Sequence, residues 1–256
     1  MLKTLTISAS LIVFAIYLVL VISLFGFINP EKFVQTLTSE RVIFSIILSL
    51  KAAIISTLLS IALAVPSGYS LSRYEFPGKR IVDTLLEIPL VVTPVALGAM
   101  LLIFFQTRTG EYIQSTFLSF VFEFSGIILA QFLTTVGIAI RTMKNTFDSI
   151  SPRYEMVACT LGATPLRAFT TVTLPMAKTG ILAAAILSFA KSIGEFGATV
   201  MLAGAMPMKT ETLPVSIFMR LGSADIEGMT LMILILLSVG LSVLFILRFV
   251  LTSVYD

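Results

Sequence analysis

The sequence predicts an all-α integral membrane protein with six transmembrane helices. Of its 256 residues, 57% are apolar and only 12% are charged, and the mean hydropathy is +1.04. A soluble domain has about 25% charged residues, so half that fraction leaves too little polar surface to face water. Uncharged runs of spanning length recur along the chain. No strand-length alternation recurs at barrel spacing, which argues against a β-barrel.

Six segments meet or approach the roughly 20 apolar residues that a span requires. The fourth is the weakest, and the fifth contains Lys191 and Glu195. The first follows Lys3 and stays uncharged to Pro30, which is too long for the core of a cleaved signal, so we expect a retained anchor. The predicted spans are about 5–28, 45–72, 85–106, 124–143, 177–203 and 228–250, in one transmembrane domain over 1–256.

The distribution of charge predicts an orientation and excludes several functions. With the N-terminus in the cytoplasm, the inner segments contain ten Lys and Arg and the outer segments five. The positive-inside rule then places both termini in the cytoplasm of a multi-pass cell-membrane protein. The net charge of +3 is spread over loops, so it does not indicate nucleic acid. Having no His and one cysteine, Cys159, the chain lacks His-dependent catalytic or zinc sites and any internal disulfide.

Residues 151–175 interrupt the apolar pattern with a short helix-turn-helix in the most basic cytoplasmic loop. Ser151 suits a helix cap and Pro152 the first helical position. Gly162 is placed to end the helix in the left-handed conformation, and a second start signal follows at 164–165. The first helix has one apolar stripe, Tyr154, Val157, Ala158 and Leu161. Either this helix lies on lipid headgroups or it docks in the groove of a cytoplasmic partner, and the Gly-defined bend favours docking.

The same loop resembles the EAA loop of binding-protein-dependent ABC importer permeases. The Ala, Gly and closing Leu-Pro of that pattern fall at Ala158, Gly162 and 174–175, whereas Met156 stands where the family has Glu. The resemblance implies a type I ABC importer-like permease with a cytoplasmic coupling helix that docks into the ATPase. The implied ATPase-coupling residues are Glu155, Met156, Val157, Ala158, Leu161, Gly162, Arg167 and Pro175.

Three further segments, 87–98, 192–204 and 212–228, resemble molybdate-type permeases. The resemblance implies a subunit that forms the translocation pathway as a homodimer and imports a tetrahedral oxyanion. Molybdate or tungstate is the first candidate cargo, and sulfate or thiosulfate is the alternative. The implied partners are two cytoplasmic ATPase subunits, an external oxyanion-binding protein and the lipid bilayer.

No G-x-x-x-x-G-K-[ST] string occurs, so this chain cannot hold ATP phosphates in a P-loop. We therefore expect a transport subunit that is not an enzyme and binds no cofactor, with ATP and Mg²⁺ on the partner ATPase. An ion-coupled secondary transporter would need an internal repeat, and no convincing one is found. A membrane enzyme would need a catalytic Ser-Lys dyad of Lys191 with Ser188 or Ser192. Residues one or three positions apart on one helix rarely face each other in a way that allows catalysis.

Polar residues inside predicted spans mark a candidate pathway, because an ionisable group at mid-membrane costs roughly a few kcal/mol. Lys191 and Glu195 are either a mutually neutralised i,i+4 pair or part of a polar route. Pro94 marks either a gate or a simple packing kink. The candidate pathway or gate residues are Thr93, Pro94, Ser188, Lys191, Ser192, Gly194, Glu195, Gly197 and Thr199.

The segment 212–228 has a mixed apolar and acidic surface on the predicted outer side. It either contacts the external binding protein or seals the outer mouth of the pathway. Its candidate contact residues are Phe218, Asp225 and Glu227.

Overall fold

The computed structural model describes residues 2–27 and 36–252, and in these ranges the chain is built from helices. In chain order they are α1 (Leu2–Phe25), α2 (Glu40–Arg73), α3 (Lys79–Leu85), α4 (Ile88–Val91), α5 (Pro94–Phe105), α6 (Arg108–Thr116), α7 (Phe124–Ser149), α8 (Arg153–Thr160), α9 (Pro165–Ala168), α10 (Leu174–Met176), α11 (Lys178–Ile193), α12 (Gly197–Ala203), α13 (Leu213–Gly222) and α14 (Ile226–Thr252). A π-helical turn, Phe169–Thr173, lies between α9 and α10.

Four of the described helices, α1, α2, α7 and α14, are long and apolar enough to cross a membrane. The number rises to five if the segment Pro165–Met176 and α11, inclined by 67°, form one bent span. The predicted all-α membrane class is therefore confirmed. The count of six spans stays a prediction, because the segment 85–106 contains no single long helix.

The predicted third span is divided at Val92 and Thr93 into α4 and α5. Thr93 Oγ1 accepts a hydrogen bond from Ala96 N at 3.3 Å and so caps α5. Pro94 then occupies the first helical position, where its missing N–H costs nothing. The proline therefore begins a helix and does not kink a continuous one.

The predicted fifth span, 177–203, is likewise divided, and residues 194–196 separate α11 from α12. The other four predicted spans correspond to α1, α2, α7 and α14, with shifted ends. α2 starts five residues before the predicted 45–72, and α7 continues six residues beyond 143. The last predicted residue of the first span, 28, lies outside the described residues.

The core of the bundle lies where α2 packs along α7, and α11 packs on both. Small residues such as Ala52 and Ala139 are fully buried there. Ser60 Oγ and Thr135 Oγ1 share a hydrogen bond of 2.9 Å, and Ser56 Oγ donates to a backbone carbonyl of α7 at 3.1 Å. Interhelical hydrogen bonds in membranes contribute about 0.6 kcal/mol each, so close packing supplies most of the stability. By contrast, no residue of α1 between positions 3 and 25 is buried against the rest of the chain.

The short helices α5 and α12 cross at small residues. A Cβ added at Gly98 would lie 2.8 Å from Ala198 Cα, and one added at Gly197 would lie 3.0 Å from Val95 N. Glycine at both positions lets the two backbones approach closely.

Adding a methyl group at this crossing should destabilise the protein. Gly98→Ala places a carbon where the partner helix already lies, and overpacking costs about 1–3 kcal/mol. Gly240→Ala is the matched control, because that glycine is also helical and has nothing within 4 Å of an added Cβ. Thermal unfolding in detergent should show a lower Tm for Gly98→Ala alone. Equal Tm values for the two variants would contradict the close crossing.

Candidate functional site

The helices α8 and α9 lie at the end of the bundle where α2 terminates. Arg73 Nη2, in the last turn of α2, donates to Ile150 O at 2.7 Å just before α8. Gly162 has φ of 90°, the left-handed conformation that the sequence predicted. Thr164 Oγ1 accepts from Arg167 N at 3.3 Å and so caps α9. The predicted helix-turn-helix is present, but α8 begins at Arg153, one residue later than predicted, with Pro152 and not Ser151 at the cap position.

Large apolar side chains of α8 and α9 point away from the bundle. Leu161 is 84% exposed and Leu166 is 72% exposed. The coupling surface is defined as Tyr154, Met156, Val157, Leu161 and Leu166. Ala158 is half-buried beside it, and Arg167 and Pro175 are exposed. Several large apolar side chains are thus exposed together on one short helix pair, which makes it a candidate contact surface.

Glu155 points in the opposite direction, toward its own chain. Its Oε2 accepts from Tyr69 Oη at 2.7 Å. Its Oε1 accepts from Thr173 Oγ1 at 2.7 Å and from Arg73 Nε at 3.3 Å. Burial alone would raise the pKa of this carboxyl, but its three hydrogen-bond donors outweigh burial and hold the pKa below its ordinary value. The carboxylate expected to contact the ATPase is instead bound by α2 and the π-helical turn.

The break between α11 and α12 is closed by Glu195. Its Oε1 accepts from Ala198 N at 3.0 Å, and its Oε2 lies 3.4 Å from Lys191 Nζ. The side chain of Glu195 is 2% exposed and that of Lys191 is 42% exposed. The i,i+4 pair expected from the spacing is present, and its buried member also caps α12. The break leaves backbone N–H groups at the start of α12 without helical partners, and hydrocarbon could not bind them. Because Glu195 accepts one of them, the geometry favours a structural role for the pair over a role in the pathway.

The hydroxyl residues Ser188, Ser192 and Thr199 are each fully buried. Among the described residues, none of their hydroxyl oxygens has a hydrogen-bond partner. The polar face expected to line a pathway is therefore closed within a single chain. Gly194, beside this face, is exposed.

The predicted gate residues of two separate segments meet at the crossing of α5 and α12. A Cβ added at Gly197 would lie 3.2 Å from Pro94 Cβ. Thr93 immediately precedes this contact and caps α5. The structure thus brings the candidate residues of the third and fifth predicted spans together, which no local pattern in the sequence could show.

The segment 212–228, predicted to lie outside and called the outer segment below, uses part of its predicted contact set internally. The ring of Phe218 lies 4.7 Å from that of Phe196, which belongs to the break between α11 and α12. Asp225 Oδ2 accepts from Arg220 Nη1 at 2.6 Å, and its Oδ1 accepts from a backbone N–H in the first turn of α14 at 3.0 Å. Glu227 is half-buried. Phe218 remains about half exposed.

Two ion pairs at the ends of α2 were missed by the sequence reasoning. Arg41 makes a two-point contact with Glu211, and Arg73 contacts Glu155. The partners are 170 and 82 residues apart, so no local spacing links them. The only available signal was an arginine at each end of one apolar segment. Within residues 2–27 and 36–252, no group of three or more His, Cys, Asp or Glu could hold a metal ion.

The structure is an apolar helix bundle with two broken, crossing helices and an exposed helix pair at one end. The chain belongs to the family of binding-protein-dependent transport system inner membrane components, which matches residues 56–254. It is therefore a multi-pass cell-membrane permease of the ABC importer class, and ATP is hydrolysed by a separate subunit. This membership removes the secondary-transporter and membrane-enzyme alternatives.

The chain is similar to several named permeases. It is 34% identical over 177 residues to the molybdenum transport system permease protein ModB of Escherichia coli, covering 68% of this chain and 77% of that one. It is 35% identical over 212 residues to a probable molybdenum ABC transporter permease protein of Haloferax volcanii, covering 83% and 77%. It is 29% identical over 213 residues to the sulfate transport system permease protein CysT of Salmonella typhimurium, covering 82% and 77%.

A solved structure shares the fold. It is the crystal structure of a bacterial ABC transporter involved in the import of the acidic polysaccharide alginate, with a TM-score of 0.74 over 90% of this chain and 85% of that chain. The sequence identity is 18%, so the likeness extends to the fold alone.

The pair Lys191 and Glu195 can be tested by removing one charge and then both. Lys191→Met leaves a buried carboxylate without its cation and should cost about 1–3 kcal/mol of unfolding free energy. Lys191→Met with Glu195→Gln should recover most of that loss, because the Gln oxygen can still accept from Ala198 N. Thermal unfolding and uptake in vesicles are measured together. A double variant that folds normally but transports abnormally would contradict the structural interpretation and favour the pathway.

Proposed function

We propose that this chain is the membrane-spanning permease of an ATP-driven, binding-protein-dependent importer whose cargo is molybdate or tungstate. The identity of 34–35% to molybdenum permeases from a bacterium and an archaeon supports this cargo. The sulfate permease relative at 29% makes sulfate or thiosulfate the second candidate. All of these cargoes are tetrahedral oxyanions. The shape and charge of the proposed substrate are therefore common to both candidates, which differ in the central atom.

The proposed assembly is a homodimer with the translocation pathway between its two copies. A C₂ arrangement is the commonest symmetry of such oligomers. Burial of Ser188 and Ser192 inside the single chain supports a route between copies and not through one copy. Both termini are proposed to be cytoplasmic. An external oxyanion-binding protein docks at the outer segment, where Phe218 offers an exposed ring.

The proposed contact with each of two ATPase subunits is the coupling surface. An amphipathic helix that lays its apolar side chains in a groove is a common recognition mode. The fixed turn at Gly162 favours a protein groove over lipid, because a lipid surface requires no defined angle between α8 and α9. No cofactor is proposed for this chain, and ATP with Mg²⁺ belongs to the ATPase.

Uptake in vesicles tests the proposed cargo. Vesicles containing the permease and its ATPase, with the binding protein outside, should accumulate labelled molybdate only with ATP inside. A hundred-fold excess of unlabelled tungstate should suppress uptake by about 10-fold or more, because the two oxyanions share shape and charge. The same excess of sulfate should change it little. Equal competition by sulfate would favour the second candidate, and uptake without ATP would overturn the importer proposal.

Two substitutions on the coupling surface test ATPase docking. Gly162→Val should disturb the turn, since a β-branched residue pays about 1–2 kcal/mol or more in the left-handed conformation. Leu161→Asp should place an unpaired charge in the groove. Both variants should insert in the membrane but lose co-purification with the ATPase. Ile81→Asp, which changes a 66% exposed residue of α3, is the matched control and should keep it. Co-purification of Leu161→Asp at the parent level would make α8 an interfacial helix.

A further inference from the structure

The helix α2 is longer than the membrane is thick. Its 34 residues extend about 51 Å at the α-helical rise. The hydrocarbon core of a bilayer is about 30 Å thick, so both ends of α2 reach beyond it. Arg41 lies in the first turn of α2 and Arg73 in its last turn. Arg41 pairs with Glu211, which directly precedes the outer segment. Arg73 pairs with Glu155, which lies in the first turn of α8 at the coupling surface.

At the outer end, Arg41 holds the chain immediately before α13. Arg41 Nε and Nη2 donate to the two carboxylate oxygens of Glu211 at 2.7 and 2.9 Å. The side chain of Glu211 is only 2% exposed. About two helical turns beyond Arg41, Ser49 Oγ of α2 accepts from Leu213 N at 2.8 Å. A two-point Arg–carboxylate contact fixes orientation as well as distance, so the start of α13 is attached to α2.

At the inner end, Arg73 holds the start of the coupling surface. Its Nε donates to Glu155 at 3.3 Å, and its Nη2 donates to Ile150 O at 2.7 Å. Tyr69, one turn earlier, donates to the same carboxylate and packs edge-on against Phe169 at 4.6 Å between ring centroids. The side chain of Arg73 is 9% exposed. Two successive turns of α2 are thus attached to α8 and to the π-helical turn.

Between these two ends, α2 is supported along its length by α7. Pro66 interrupts the internal hydrogen bonding of α2 near its inner end. The residues on either side of it, Ala64 and Leu71, are buried in one cluster with Ile140 and Met143 of α7. Close packing across the proline restrains bending there. This packing lets α2 behave as one stiff element despite its proline.

We propose that α2 is a strut that links the outer segment to the coupling surface, with Arg41–Glu211 and Arg73–Glu155 as its two end clamps. This inference rests on the proposed function, in which the binding protein acts on the outer segment and the ATPase on the coupling surface. Docking of the binding protein at α13 moves α2, and α2 moves α8 against the ATPase. Glu155 is then a positioning residue that acts through α8 and does not touch the ATPase.

The test uses the complete complex of permease, ATPase and liganded binding protein. Arg41→Gln and Arg73→Gln each remove one clamp. Each should lower stimulation of ATP hydrolysis by the binding protein by about 5-fold or more, the usual range of coupling between sites. Basal hydrolysis and co-purification with the ATPase should stay at the parent level in Arg41→Gln, because Arg41 lies at the opposite end of α2 from the coupling surface.

The double variant distinguishes a strut from two local anchors. The two arginines are separated by about 48 Å along the helix, and independent effects at such distances add. If both arginines belong to one strut, their effects on the stimulation of ATP hydrolysis do not add. Once the connection is broken at one end, a second break at the other end causes no further loss. Arg41→Gln with Arg73→Gln should therefore show the stimulation of the more impaired single variant. Multiplied losses in the double variant would overturn the strut.

Matched controls break ion pairs at each end without touching α2. Lys209→Gln removes the outer pair with Glu123, and Lys79→Gln removes the inner pair with Glu75. Both should keep the parent stimulation, and a loss equal to that of the arginine variants would overturn the proposal.

A further pair of variants covers the case in which the Gln proteins do not assemble. Arg41→Lys and Arg73→Lys keep the charge but lose the forked donor geometry, and the same non-additive loss is expected of them. Parent-level stimulation of ATP hydrolysis in all arginine variants would overturn the strut proposal and leave the proposed function intact. A parent complex that the binding protein does not stimulate would instead overturn the proposed function.

Discussion

Backbone polar groups that lie in hydrocarbon must find their hydrogen-bond partners within the protein, and this constraint accounts for the position of several polar residues of the bundle. Thr93 caps α5, Glu195 caps α12, and Ser49 binds the first backbone N–H of α13. Gln114 Oε1 accepts two backbone N–H groups in the turn before α7. At the breaks before α5, α12 and α13, a side chain of the same chain therefore accepts a backbone N–H that the interrupted helix leaves free.

The same constraint directs the acidic residues inward. Glu155, Glu195 and Glu211 each accept hydrogen bonds from their own chain, and each is close to a Lys or Arg. A carboxylate at the edge of a low-dielectric bundle is costly unless it is paired and hydrogen-bonded. The surface proposed for the ATPase consequently has no exposed carboxylate from Glu155, and its most exposed members are the apolar Leu161 and Leu166, with Arg167 exposed beside them. Docking there would depend on the burial of these apolar side chains and on positive charge from arginines such as Arg167.

Features that depend on local spacing were predictable from the sequence, and features that depend on distant partners were not. The membrane class, the turn at Gly162 and the pairing of Lys191 with Glu195 follow from composition or from residues within one or two helical turns. The breaks at 92–93 and 194–196 were read as continuous spans, because apolar length does not reveal which backbone groups find a cap. Motif spacing placed Glu155 on α8, but it could not show where the Glu155 side chain points. That direction is set by Arg73 of α2, which is 82 residues away in the sequence.

The closed hydroxyl face of α11 and α12 bears on where cargo can pass. A route through one copy would expose Ser188 and Ser192 only by separating α11 from α2 and α7, the helices that form the core. In a lipid environment close packing is the main force that holds helices together, so this separation would remove much of the stability of the subunit. Leu187 and Gly194, in contrast, already face away from the bundle. A route between two copies can open and close by moving intact bundles against each other, and this is the physical argument for a dimeric pathway.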